Sequence, residues 1–178
     1  MTPILTAPIG TERLTLLPLR VEHAEEMAAV LADPALHRYI GGAPSTAEEL
    51  RTRYARMVAG SPLQVISWCN WVIGVEGPAG QGRCLAGYVQ ATVVPSRDGA
   101  GLDAEMAWVV GTAWQGQGIA KEAARGLVGW LVERGVGTLV AHVHPDHLSS
   151  AAVAASVGLT PTDEWQDGEV RWRRRVVS

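Results

Sequence analysis

Six residues, Gln115-Gly116-Gln117-Gly118-Ile119-Ala120, follow the apolar run Met106–Val110 and open a helical pattern. The first amides of a helix lack internal partners, and the helix dipole adds partial positive charge there. Gly116 and Gly118 let a ligand approach the main chain without a Cβ in the way. The chemistry that suits such a turn is the holding of phosphate oxygens. It is not a Walker A loop, since no G-x-x-x-x-G-K-[ST] occurs. A dinucleotide fingerprint fails because Lys121 stands where the third glycine belongs. Upstream, Glu105 interrupts an otherwise apolar strand. An unpaired carboxylate is costly there, so Glu105 either moves protons, turns to solvent or pairs with an arginine.

A second cluster is His142-Val143-His144-Pro145-Asp146-His147. It resembles the H-x-H-x-D-H metal motif of the metallo-β-lactamase fold, and imidazole with carboxylate is good zinc chemistry. That family needs further ligands downstream, and no histidine follows His147. The expectation is a strand whose His142 and His144 share a face, leading into a loop, with no metal. Cys69 and Cys84 form no CxxC pair, so neither a disulfide framework nor a cysteine zinc site is expected. Cys69 reads as a small buried apolar residue.

Positioning these groups requires a frame. Leu14–Leu19 reads as a strand, and Arg20–Ala32 as a helix with Val21, Ala24, Met27, Ala28 and Leu31 on one stripe. Ser45 or Thr46 can cap a second helix, with Glu48 and Glu49 in its first turn, ended by Gly60-Ser61-Pro62. Trp71–Val75, Leu85–Val94 and Ala104–Val110 are strands separated by turn-rich segments. A helix over about 118–134 carries Ala120, Ala123, Ala124, Leu127, Val128 and Leu131 as its apolar stripe. Thr138–Val143, Ser149–Val157 and Glu169–Val177 complete the order β-α-α-β-β-β-α-β-α-β. The fold class is α/β, a single domain without linker or repeat.

Composition agrees. The chain has 178 residues, with 15 Lys+Arg against 18 Asp+Glu, a net charge of −3 and 47% apolar residues. A globular core is within reach, and the basic footprint of a nucleic-acid binder is lacking. No signal peptide is visible at the N-terminus. The uncharged stretch Met57–Val75 contains Gly60-Ser61-Pro62, Gln64 and Asn70, so it is no lipid-spanning helix. The expectation is a cytoplasmic protein without membrane or nucleic-acid partners.

Gln115-x-x-Gly118-x-Ala120 after a strand resembles the Q/R-x-x-G-x-G/A pyrophosphate loop of the GNAT superfamily of N-acetyltransferases. Further features agree in order. Ala104-Glu105-x-x-Trp108 precedes the loop like that fold's fourth strand. His147-x-x-Ser150-x-x-Val153-Ala154-x-x-x-Gly158-Leu159 is similar to the N-x-x-S…V-A…G-F segment. Thr11-Glu12-Arg13-Leu14-x-Leu16 is similar to the first strand of the ribosomal-protein-alanine acetyltransferase branch. The resemblance spans about residues 10–177 and implies a GNAT-like mixed central sheet whose fourth and fifth strands splay apart.

It also implies acetyl transfer from acetyl-CoA to a primary amine of a small molecule or a protein N-terminus, by direct attack in a ternary complex. The alternative is a non-catalytic GNAT-fold module that senses or holds acyl-CoA. The amides of Gln115, Gly116, Gln117, Gly118, Ile119 and Ala120 would hold the diphosphate. Trp108, Val109 and Val110 would flank the pantetheine arm, with Val110 also offering its amide to the developing oxyanion. Glu105 is the candidate base. The acid is Ser150, His147 or water, since Ala154 occupies a position where many relatives carry tyrosine. Acceptor contacts are assigned to Tyr39, Trp68, Asn70, Trp71 and Glu105. The protein is expected to be a monomer or homodimer.

Overall fold

The computed structural model describes residues 2–177. Eight strands form one mixed sheet in the order β1-β2-β3-β4-β5-β6-β8-β7. They are β1 (Ile9–Gly10), β2 (Leu14–Pro18), β3 (Ser67–Glu76), β4 (Arg83–Pro95), β5 (Leu102–Val110), β6 (Val136–Val143), β7 (Thr160–Gln166) and β8 (Glu169–Arg175). Five α-helices accompany them: α1 (Ala24–Val30), α2 (His37–Ile40), α3 (Ala47–Ala59), α4 (Ile119–Glu133) and α5 (Leu148–Ser156). All pairings are antiparallel except β5 with β6.

Pleat parity divides the sheet into two faces. One carries Cys69, Trp71 and Ile73 of β3, Val89, Ala91 and Val93 of β4, and Ala104 and Met106 of β5; these pack on the stripe of α4 and on α5. The other carries Val72, which packs with Leu19, Met27, Leu50 and Tyr54 beneath α1 and α3. Helix α3 begins with a capping box, in which Thr46 Oγ1 accepts from the Glu49 amide at 3.1 Å and the Glu49 carboxylate accepts from the Thr46 amide at 3.2 Å.

Four elements depart from the sequence reading, the first being the short β1, which pairs with β2 ahead of the expected opening strand. The Arg20–Ala32 segment splits into a 3-10 turn and α1. Residues 37–40 form the short α2. Thr160–Gln166, read as a connection, is β7, joined to β8 by Asp167 (φ 50°) and Gly168 (φ 79°). Positive φ at both central residues is the mark of a type I′ hairpin turn, for which Asp-Gly is well suited.

The parallel pairing of β5 with β6 runs from Leu102↔Val136 to Glu105↔Val140 and goes no further. From Met106 to Val110 the β6-facing edge of β5 has no strand partner, and the expected splay opens there. No helix among the described residues is long and apolar enough to cross a membrane.

Candidate active site

After β5, the Gly111 amide donates to the Ala86 carbonyl at 2.8 Å, and a 3-10 turn over Thr112–Trp114 leads to the glycine loop. Gly116 and Gly118 have φ of 77° and 76°, the left-handed region that side chains resist. A Cβ at Gly116 would meet nothing within 4 Å, so open space lies beside the loop. The first bond entering α4 is donated by the Glu122 amide to the Gly118 carbonyl at 3.1 Å. The amides of Ile119, Ala120 and Lys121 precede that bond and have no acceptor inside the helix. The Gln115 side chain donates to the Val110 carbonyl at 3.0 Å and ties the loop to the strand end.

A brace from the β1–β2 turn holds the loop. The Glu122 carboxylate accepts from Thr11 Oγ1 at 2.5 Å, the Arg13 amide at 2.8 Å and Arg13 Nε at 2.7 Å. Arg13 Nη1 in turn donates to the Gln117 carbonyl at 2.9 Å. Burial alone would push the Glu122 carboxyl up; the bonds from Thr11 and Arg13, with the guanidinium charge, outweigh it and hold it below its ordinary value. Unpaired amides, a helix N-terminus and open space together fit a diphosphate group. Ile119 is buried and Ala120 packs on the core, so these two can serve a ligand only through their backbone.

Across the splay, Trp108 Nε1 of β5 donates to Ser150 Oγ of α5 at 3.0 Å. An indole N–H can only donate, so the serine is the acceptor and its own hydrogen remains available. Trp108 and Ser150 therefore form one unit on the α4/α5 face of the sheet. His147 precedes α5 without capping it. Its ring stacks on Tyr39 of α2, with centroids 4.1 Å apart and planes 9° from parallel. Burial, reinforced by His144, holds the His147 imidazole below its ordinary value.

On the opposite face, Glu105 is paired with neither an arginine nor solvent alone. Its carboxylate accepts from His142 Nδ1 at 2.7 Å. The Glu105 side chain is 53% exposed, whereas that of His142 is 10% exposed. His142 Nε2 is buried without a partner among the described residues. Nearby, burial pushes the Glu169 carboxyl up; His142 and His144 pull it back, while Asp167 and Glu105 add to the rise.

Register places Trp68 and Thr92 in the row of Glu105, and Asn70 and Gln90 in the next row beside Ala107. Asn70 and Gln90 form the polar floor of a cavity of about 230 Å³ beneath α1–α3. Trp68 lies outside the cavity lining and is 39% exposed. Trp71 is among the residues that line the cavity. Its ring faces the other side, fully buried, donating Nε1–H to the Ala7 carbonyl at 2.8 Å and meeting Trp130 edge-on at 4.9 Å. Trp71 therefore borders the cavity through its backbone. Tyr39 reaches the His144–His147 loop, where its hydroxyl donates to the Asp146 carbonyl at 3.4 Å.

The three histidines of the metal-like run serve separate ends: His142 on Glu105, His144 beside Asp146, His147 on Tyr39. Among the described residues, no three His, Cys, Asp or Glu side chains converge as a metal centre requires. Sequence reasoning missed His142 as the partner of Glu105, and Arg53, Tyr54, Tyr88 and Gln90 as cavity residues. Strand parity marked His142 for one face, but the β5–β6 register that brings it to Glu105 leaves no sequence signal.

The acetyltransferase (GNAT) domain profile matches residues 13–160, and the chain belongs to this acetyltransferase family. Its fold is shared with a ribosomal L7/L12 α-N-protein acetyltransferase, RimL, solved with coenzyme A (18% identity, 96% of this chain and 98% of that one, TM-score 0.77). Similar too are the microcin C7 self-immunity acetyltransferase MccE, solved with acetyl-CoA and AMP (16% identity, 93% and 94% covered, TM-score 0.72), and an acetyltransferase from Agrobacterium tumefaciens (24% identity, 97% and 96% covered, TM-score 0.70). No curated protein matches the sequence.

Proposed function

We propose that this chain is an acetyl-CoA-dependent N-acetyltransferase acting on a primary amine, in one catalytic domain and by direct attack in a ternary complex. One observation carries the reading: the unpartnered edge of β5 separates the open glycine loop on one side from the Glu105–His142 pair on the other. Acetyl-CoA, when bound, supplies an acyl group activated as a thioester. The loop amides from Gln115 to Ala120 hold its diphosphate, and Val109 and Val110 offer backbone along the open edge.

Glu105, directly or through a water, takes a proton from the protonated amine so that its lone pair can attack. His142 Nδ1–H fixes the carboxylate's orientation. The Val110 amide donates to the oxygen that gains charge as the C–N bond forms. As the C–S bond breaks, the free Ser150 hydroxyl hydrogen meets the departing thiolate, and Trp108 holds that hydroxyl in place. The ring of His147 is held by Tyr39 and lines the approach. The acceptor is a small molecule or a protein N-terminus.

Thiol release with a panel of amines tests the reading, and E105Q tests the base. Its kcat should fall about 10²–10⁴-fold, with CoA affinity retained. An unchanged pH–rate profile removes Glu105 from the mechanism. The second reading, an acyl-CoA-binding module without turnover, is favoured by Ala154, fully buried where many relatives carry tyrosine. Tight CoA binding with no thiol release from any amine would select it.

A further inference from the structure

The acceptor cavity has a charge character that composition does not reveal. Leu19, Leu31, Leu50 and Met57 supply apolar walls, and no Asp or Glu lines it among the described residues. Arg53 of α3 does line it. Its Nη2 donates to Ser45 Oγ at 3.1 Å, and no carboxylate lies within ion-pair distance among the described residues. Two phenols, Tyr54 and Tyr88, share the lining. Burial pushes Tyr54 up to about 12 and Tyr88 upward too, so both stay protonated and neither neutralises the guanidinium. Arg53 is exposed on its outer side, and His37 is the other basic side chain of the lining; where the unpaired guanidinium borders the apolar enclosure it disfavours a second positive charge and favours an anion.

Part of the lining is polar and uncharged. Asn70 and Gln90 offer amide groups, and Gln90 pairs with Ala107, two residues beyond Glu105 on the same face. One pleat repeat, about 7 Å along the strands, therefore separates the row of Asn70 and Gln90 from the row of Glu105.

Resting on the acetyltransferase reading, we propose that the cavity selects a primary amine whose apolar body ends in a carboxylate held by Arg53, and rejects polycationic amines. The volume of about 230 Å³ suits a compact body, below the usual range for drug-sized ligands.

A matched set isolates the charge: 6-aminohexanoate, hexylamine and 1,6-diaminohexane share one apolar chain, with an anionic, neutral or cationic far end. Calorimetry in saturating CoA measures binding, and thiol release with acetyl-CoA measures turnover. The expected order places 6-aminohexanoate about tenfold ahead of hexylamine in affinity and in kcat/KM, with the diamine last. R53Q should collapse the ratio between the first two to about one, and R53K should restore part of it. Equal affinities, absent binding of all three, or a diamine that leads would overturn the proposal. So would an R53Q ratio matching that of the parent protein. The two readings separate cleanly. Turnover led by the diamine sinks the selectivity and leaves the enzyme standing, whereas ranked binding without thiol release sustains the cavity and sinks the enzyme.

Discussion

Glu122 joins two distant parts of the chain, and removing its carboxylate should be felt in both stability and cofactor binding. In E122A the Thr11 hydroxyl, the Arg13 amide and Arg13 Nε all lose an acceptor that now lies 2.5–2.8 Å away. Bonds to an ionised group contribute about 1.5–3 kcal/mol each when shielded, and the Glu122 side chain is only 16% exposed. The guanidinium arm is 49% exposed, so its share is at most about 1 kcal/mol. The donors share one short turn and do not add fully, which gives about 3 kcal/mol in total. For a chain of this size that is a fall in Tm of roughly 6–12 °C. The carboxyl is held below its ordinary value of 4.5 when folded. Its stabilisation is therefore complete above that pH and lost as pH drops through the folded value. The gap in Tm between parent and variant should accordingly be full at pH 7 and narrow in acid below 4.5. Because Arg13 also anchors the Gln117 carbonyl, CoA affinity measured by calorimetry should weaken several-fold. Scanning calorimetry at both pH values, with E133Q on the exposed end of α4 as control, is the assay. A Tm within about 2 °C of the parent at pH 7 refutes the brace. A large Tm loss with unaltered CoA affinity refutes its coupling to the loop.

Other sites give sharp outcomes. H142A should reduce kcat about tenfold and alter the shape of the pH–rate profile, because Glu105 loses its 2.7 Å donor; a profile superimposable on the parent's would leave His142 a packing residue. In G87A the new methyl would sit 2.1 Å from the Val109 carbonyl oxygen and 2.9 Å from Val110 Cα. The strands must separate there, at about 1–3 kcal/mol, and thermal unfolding together with CoA affinity should both register it. Burial pushes the Cys69 thiol up to about 11, so a thiol reagent at pH 8 should label Cys84 alone in the native protein and both cysteines after denaturation. Mass spectrometry of the labelled protein reads this directly.

Local signals explain what was legible in the sequence. The α4 stripe is written in nearby residues and forms as read, and of the two caps offered for α3, Ser45 or Thr46, the structure uses Thr46. The glycine loop was legible because its positive-φ positions fall on glycines. Strand β7 was missed because Pro161 and Asp163 dilute its pattern, although the Asp167-Gly168 pair directly after it announced a hairpin. Asn70 and Trp71 both line the cavity, but the pleat sends their side chains to opposite faces, which adjacency in sequence does not show. The Glu105–His142 bond depends on a parallel register across a helical crossover, set by packing of α4 rather than by any local residue.

The same parity rule organises the whole site. Along β5, Ala104, Met106 and Trp108 point toward α4 and α5, whereas Glu105 and Ala107 lie on the opposite face, the one that carries Asn70 and Gln90. A mid-strand carboxylate in a fully paired, covered sheet would be strongly penalised. Here Glu105 is the last β5 residue paired with β6, and its side chain is half exposed where the two strands part. The splay thus does two things with one irregularity. It frees a backbone edge on which a ligand arm can lie, and it lets an ionised residue stand within reach of a buried imidazole. Closing the gap by extending the β5–β6 pairing would add backbone bonds, yet it would bury Glu105 and seal the passage between the two faces.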